Sequence, residues 1–494
     1  MLEAGASAWG WGDDRVSGKG KRIAGAAVAA VALMVSAGAA QAQSTGAENT
    51  PEDQQRLSQG IRSANQAAAE SYLRNLSEGP EVTFEQVMAD PDNAALNAAY
   101  ARTQIAHGDL LGASVTLERL LLSHPEATEA RLIYGVVLYR LDDIVTARDV
   151  LQGLDPNELT ADHRAERERI LSMIDQRRKR LRQTFTLAVG EHFDTDRNAS
   201  PNAGSMLVDD LTFTLNGDAR ARKDWGTLTV GAYEAEYDLG TDPRLAIYGG
   251  ASALSDTQAR LKTLNNQTGG LSTGLKFQDG SWDVSGGLFW NSMDLQSDYY
   301  LSDWGVNSRV SYRLDERWSV FDEARLSFQA FHDVPADSLG HQNSGTVPSN
   351  WLGLNWKPVQ SHILSSSIGV THRYAEATAM SNTRLAGRLS DTWLLGQGQF
   401  LTTQGEYGGA VYDAPNSTIS SSITRRDRDI RLNMTYGVPT GTVYRALGGG
   451  ELPDEIKDVV VAGTVEYYHE MSTLINYTYS NIRTQVVASK RWEF

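Results

Sequence analysis

The chain has 494 residues, no cysteine and a formal net charge of −16 at pH 7. Without cysteine there are no disulfides and no thiolate sites. The acidic balance argues against a broad phosphate-binding surface, so nucleic acid is not expected as a partner.

The N-terminus reads as an export signal spanning residues 1–42. Lys19, Lys21 and Arg22 precede the apolar run "IAGAAVAAVALMVSAGAA", and Ala40-Gln41-Ala42 supplies a small-x-small cleavage site. No apolar run of about 18 residues recurs after it, so no membrane-spanning helix is expected beyond it. The mature chain is therefore expected in the periplasm, secreted, or in an outer membrane.

Residues 43–182 form a second unit. From 51 onward it is rich in Ala, Leu, Glu and Arg, with apolar residues three and four apart, the period of helices. Comparison at an offset of 34 pairs Tyr100 with Tyr134, Ala101 with Gly135, Ala113 with Ala147, Leu117 with Leu151, and Leu120 with Leu154. Small residues fall where two helices would cross and large ones fill between, the pattern of tetratricopeptide helix pairs. Such arrays bind segments in a concave groove. Arg102, Ile105, Glu129, Val136, Tyr139 and Arg140 are the expected groove-facing, partner-binding residues, with an ordinary solvated face as the alternative. The basic run "RRKRLRQ" closes the unit, at anionic headgroups or as a charged helix end.

From 183 to 494 the period changes to two. "WDVSGGLFW" sets Trp282, Val284, Leu288 and Trp290 against Asp283, Ser285 and Gly287. "DIRLNMTYGV" sets Ile430, Leu432, Met434, Tyr436 and Val438 against Arg431, Asn433, Thr435 and Gly437. "DLTFTLNGDAR" alternates likewise. A sandwich would bury the apolar face; a transmembrane barrel turns it to lipid and the polar face to a wet lumen. Strand length, aromatics at both ends of the apolar face, and short turns alternating with long loops favour the barrel. Trp282 and Trp290 lie roughly 26 Å apart along a strand at about 3.3 Å per residue. The fold class expected is thus α+β and multidomain: a helical tetratricopeptide-like unit, then an antiparallel transmembrane β-barrel of about 14 strands, with 12 or 16 open. The second strand is placed at 209–220, and 193–208, 240–267 and 291–304 are read as long loops. Arg220, Arg325 and Arg431 are candidates for an inward basic ring.

No chemistry emerges. "GLSTG" (Gly270 to Gly274) lies in an alternating strand with no helix after it, unlike a nucleophile elbow. "DTDRN" (Asp194, Asp196, Asn198) opens like a calcium loop but lacks its glycine. No catalytic, metal or cofactor-binding residue is expected, nor a cofactor.

The order of export signal, short helical repeat and barrel resembles that of the surface lipoprotein assembly modulators of Gram-negative bacteria. "LAVGEHFDTDRNASPN" is similar to that family's first strand and the Asp/Asn-rich segment after it. "VVVAGTVEYYHEMSTLINYTYSNIRTQVVASKRWEF" is similar to its last two strands and the polar loop between them. The closing Trp492 and Phe494 resemble the signal read by barrel-assembly machinery. The resemblance implies an outer-membrane protein assisting export or surface display of lipoproteins or related secreted proteins. Its helical unit would sit in the periplasm and engage the client or the client's chaperone. The alternatives are an exopolysaccharide export channel and a porin with a periplasmic docking domain.

Overall fold

The computed structural model describes residues 79–494, apart from 336, 360 and 451, together with 60, 64 and 67. The expected export signal lies outside the described residues.

The helical region begins with a short helix, α1 (Phe84–Ala89), followed by α2 (Ala94–Ala106), α3 (Leu110–Ser123), α4 (Thr128–Arg140), α5 (Ile144–Gln152) and α6 (Ala161–Arg178). Asn93, Asp109 and Asp143 cap α2, α3 and α5 through their side chains, which is why the chain restarts helically after each tight turn. The hairpins α2–α3 and α4–α5 repeat at the 34-residue offset. Ala101, Ala113 and Ala147 are completely buried, as are Leu117 and Leu151. At Gly135 the crossing is so close that a Cβ would lie 2.6 Å from Leu151 Cδ2. Small residues at the crossings and leucines between them thus account for the stacking of one hairpin on the next.

Two residues after α6 the chain enters a closed antiparallel barrel of fourteen strands. These are β1 (Leu181–Asp194), β4 (Asp224–Asp238), β5 (Arg244–Gln258), β6 (Asn266–Asp279), β7 (Trp282–Leu295), β8 (Asp298–Arg313), β9 (Trp318–Phe331), β10 (Gly345–Trp356), β11 (His362–Ala375), β12 (Asn382–Gly396), β13 (Gln399–Tyr412), β14 (Arg426–Pro439), β15 (Val460–Ser472) and β16 (Tyr479–Glu493). A separate hairpin, β2 (Ser205–Val208) with β3 (Leu211–Thr214), sits in the connection after β1. Each barrel strand pairs with its sequence neighbour, and β1 closes on β16 through eleven partners from Thr184↔Glu493 to Asp194↔Arg483. An even count sends the first strand away from the helical region and brings the last back to it.

Connections at the end joined to the helices are short turns, except 440–459, which carries α7 (Thr440–Ala446) and α8 (Asp454–Lys457). The far end carries the longer loops, 195–223, 332–344 and 413–425. Three expectations are corrected. Residues 209–220 do not form a barrel strand: Asp209, Asp210 and Gly217 take positive φ, which folds the stretch into the β2–β3 hairpin and a turn. The stretch 240–267 is not one long loop but contains β5. The stretch 291–304 is not a loop either: β7 and β8 continue to a two-residue turn, Gln296-Ser297, with positive φ at both positions. The strand count of fourteen matches the expectation because one strand was misplaced and one missed.

Candidate functional site

The barrel sorts its side chains by alternation. Leu271, Leu275, Leu288, Val306, Leu352, Ile368, Leu385, Leu389 and Leu432 point outward and are exposed. Aromatic pairs flank them at both ends: Phe185–Trp492, Trp282–Tyr312 and Trp318–Trp356 at the joining end, Phe193–Trp225 and Trp304–Phe328 at the far end. An apolar belt between aromatic girdles is the outer surface of a membrane-spanning barrel.

Inward positions carry charges in opposed pairs. On one wall, Arg384 donates to Asp429 (2.7 Å) and Glu406 (3.0 Å), and Arg388 reaches Glu406 at 2.7 Å while its guanidinium lies 3.6 Å above the Trp351 ring. Arg431 pairs with Glu466 at 3.3 Å, and Arg425 with Asp427 (2.8 Å) and Glu470 (2.9 Å). Arg325 holds Asp303 at 2.7 Å, and Arg309 holds Glu323. The basic ring expected from Arg220, Arg325 and Arg431 therefore does not form. Arg325 and Arg431 are each met by a carboxylate from a neighbouring strand, and Arg220 lies in the far-end loop, donating to the Leu215 carbonyl at 2.9 Å.

A denser cluster closes the far end of the β16–β1–β4–β5 wall. The His192 ring lies between Asp194 and Asp256, 2.7 Å from the latter. Arg197 donates to Asp256 at 3.1 Å, and Arg483 stands 3.7 Å from it. His192, Asp194, Asp256 and Arg197 are all buried. The cluster ties the first strand, the last strand, β5 and the first far-end loop together. Alternation offered one signal for it: His192 and Asp194 in "EHFD" share a strand face. The partner Asp256 lies 64 residues on, beyond reach of local pattern. Beside the cluster, Asp196 is buried with Oδ1 taking the Ser200 amide (3.0 Å) and Oδ2 unmatched; burial pushes its carboxyl up to about 6, against that hydrogen bond. Asp194 faces His192 while Asp196 faces Ser200, so the "DTDRN" oxygens serve separate hydrogen bonds.

Toward the joining end the inner wall holds a cavity of about 580 Å³ lined by Glu236, Tyr248, Lys276, Asp283, Arg309 and Arg313, with serines between them. Three cations face two carboxylates across it, and hydroxyls fill the gaps, a lining suited to hydrated polar groups of either sign. Ser272 of "GLSTG" points inward from the middle of β6, and no helix follows it.

The helical region approaches this mouth at two points. Through α6 it continues into β1. The Arg317 guanidinium, on the turn between β8 and β9, also donates to the His107 carbonyl at the α2–α3 turn. Counting from β1, the β8–β9 turn is five to six strands round a ring of fourteen, so the second contact is near the opposite wall.

Of the six expected groove residues, three are corrected. Ile105, Val136 and Tyr139 are buried in the packing between hairpins and offer no surface. The repeat offset marks which positions are equivalent, not which flank of a helix its neighbour covers. Arg102 and Glu129 remain at the surface but hold each other, and Arg140 is half-buried. Trp492 packs on Phe185, while Phe494 is exposed and joined to Gln183 through its backbone.

No family model matches the chain, and no curated protein matches it. Among solved structures, it is similar to OccAB3 of Acinetobacter baumannii at 9% identity and a TM-score of 0.33, covering 63% of this chain and 99% of that one. It is similar to OprD of Pseudomonas aeruginosa at 9% identity and a TM-score of 0.31, covering 63% and 95%. A loop-deletion mutant of OmpT, an outer membrane protein of Vibrio cholerae, gives 9% identity and a TM-score of 0.33, covering 64% and 100%.

Proposed function

We propose that the chain is an outer-membrane export barrel whose helical region lies in the periplasm, engages lipoproteins or related secreted proteins, and assists their passage to the surface. One observation carries this reading: the helical hairpins are fixed to the barrel mouth both at β1 and, through Arg317 and His107, near the opposite wall. A substrate approaching the lumen from that side meets the helices first. The counter-charged lumen also supports the reading. It favours hydrated polar chain of mixed sign over a single ionic species. The two hairpins are tetratricopeptide-like in offset and in the placing of small residues. With Ile105, Val136 and Tyr139 buried, client contact falls to the exposed positions around Arg102 and Glu129.

The test is a deletion strain in which protease shaving reads lipoproteins at the cell surface. Display should fall while total lipoprotein is unchanged. Unaltered display with lost polysaccharide secretion would instead assign the barrel to exopolysaccharide export. Loss of small-solute uptake alone would make it a porin with a docking domain.

A further inference from the structure

Elsewhere in the lumen Arg384, Arg388, Arg425 and Arg431 are each met by carboxylates, but the cavity toward the joining end departs from that pattern. Its volume of about 580 Å³ falls in the ordinary range of ligand sites, about 300–1,000 Å³. Both carboxylates of its lining are already engaged. Glu236 is held by Arg182 of β1 and Arg244 of β5, and Asp283 accepts from Gln278 Nε2 at 2.6 Å. Of the three cations, only Arg309 has an acid of its own, Glu323. Lys276 stands 4.0 Å from Glu236, which the two arginines already hold. The Arg313 guanidinium has no carboxylate partner among the described residues.

The strand register shows why these cations are left over. Lys276, Ser285 and Arg309 stand at one height on β6, β7 and β8, so a serine occupies the place between two cations. Arg313, nearer the mouth, faces Ser319 across the β8–β9 pair. One inward position farther from the mouth, Tyr248, Gly274 and Gly287 form the next row on β5, β6 and β7. The two glycines let the tyrosine reach sideways along the wall. A Cβ on either would lie 2.6 or 2.5 Å from its hydroxyl. That hydroxyl has no hydrogen-bond partner among the described residues. Two cations and a free hydroxyl thus surround a gap floored by serine.

We propose that this gap is a subsite for the carboxylate of an acidic polypeptide segment passing from the helical region into the lumen. Lys276 and Arg313 supply the charge, and Tyr248 and Ser285 supply hydroxyl hydrogen bonds. A carboxylate fits better than a phosphate, because Glu236 and Asp283 on the rim oppose a second negative charge. The position suits a passing chain. Arg313 is four residues before Arg317, whose guanidinium meets the His107 carbonyl, so the cavity lies beside the contact between helices and barrel. Naming a polypeptide rests on the export reading above; the carboxylate subsite does not.

The test is fluorescence anisotropy of dansyl-labelled hexaglutamate with the folded full chain in detergent micelles at low salt. Hexaglutamate should bind, and unlabelled hexaglutamate should displace it where hexaglutamine does not. Lys276→Gln combined with Arg313→Gln should weaken binding at least about tenfold, through the loss of charge-assisted hydrogen bonds. Lys276→Arg combined with Arg313→Lys keeps both charges and should stay within about threefold of the parent. Only heat-modifiable, folded protein is scored for each variant. Absence of binding, a double Gln variant that binds like the parent, or equal displacement by hexaglutamine would overturn the subsite. Inorganic phosphate displacing the probe at lower concentration than acetate would overturn the carboxylate. A hexuronate oligomer displacing it at lower concentration than hexaglutamate would overturn the polypeptide. These arms read binding alone, so their failure leaves the surface-display test standing, and unaltered display in the deletion strain would leave the carboxylate subsite standing.

Discussion

Phe185 and Trp492 stack across the seam between the first and last barrel strands, directly paired in register, with ring centroids 5.6 Å apart and planes 29° from parallel. Both side chains lie on the outer face at the joining end. An aromatic pair of this kind contributes about 0.5–1.5 kcal/mol beyond its area burial. Trp492→Ala should therefore lower the unfolding midpoint of the barrel in lipid vesicles, and Trp492→Phe should restore most of it. Phe494 is different, because its ring is exposed. Phe494→Ser should leave the midpoint unchanged. Equal loss of midpoint in both variants would remove that distinction.

The His192 cluster makes the far end of the same seam costly to disturb. His192→Ala would leave Asp194 and Asp256 facing each other in a buried site with their bridge gone. Breaking a buried charge network by removing one partner costs roughly 3–5 kcal/mol. Urea unfolding in lipid should show a loss of that order for His192→Ala. A loss below about 1 kcal/mol would mean that Arg197 and Arg483 neutralise the carboxylates unaided.

How much of this was legible in the sequence depended on the range of the interaction. Alternation in "WDVSGGLFW" and "DIRLNMTYGV" is a property of one strand, and the outward and inward residues fall as expected. In β5 the run Gly249, Gly250, Ala251 and Ser252 dilutes the apolar contrast, so a true strand reads as a loop. "DLTFTLNGDAR" has the contrast without a barrel strand, because the positive φ of Asp209 and Asp210 turns the chain back into the short β2–β3 hairpin. The lumenal pairs were invisible for another reason. Arg384 meets Asp429 only because three consecutive strands bring them to one height, and no spacing along the chain encodes that.

Asp196 should make the first far-end loop sensitive to pH. Its carboxyl is raised to about 6 by burial, so the folded loop favours the protonated form. Stability is then greatest at low pH and is lost as pH rises from about 4 through 6, by up to ~3 kcal/mol for a shift of this size. Hydrogen exchange at the Ser200 amide should be slower at pH 5 than at pH 8 after correction for intrinsic rates. Asp196→Asn should flatten the difference. A loop protected equally at both values would contradict the shifted carboxyl.

Gly135 tests the helical repeat. A Cβ there would meet Leu151 Cδ2 and Cγ at 2.6 Å, and Leu151 is completely buried between its neighbours. Overpacking of this kind costs about 1–3 kcal/mol. Gly135→Val should melt the helical circular-dichroism signal at a lower temperature while the barrel transition stays in place. Gly112→Ala acts differently: its methyl would lie 2.1 Å from Asp109 Oδ2, and Asp109 caps α3 by accepting from the Gly112 amide, so relief of that contact would cost the cap, about 0.5–2 kcal/mol.

Among the polar pairs on the outer face, one lies well inside the belt. On β9 the residues sharing the face of Trp318 and Phe328 include Asp322, whose register partners Val310 and Leu352 are apolar. It stands four residues from the Trp318 girdle, roughly 13 Å along the strand at about 3.3 Å per residue, and so lies within the belt. Asn350 donates to both its oxygens, at 3.1 and 3.0 Å. One amide cannot replace the hydration of a carboxylate, so the pair reduces the cost of Asp322 without cancelling it. Asn350→Leu alone should therefore destabilise the barrel, because it strands the acid. Asp322→Leu combined with Asn350→Leu should stabilise it by about 1–3 kcal/mol, because it removes a poorly solvated carboxylate together with its one amide partner. Unfolding midpoints in vesicles would decide this, and a double variant less stable than the parent would show that the pair is held by something other than lipid.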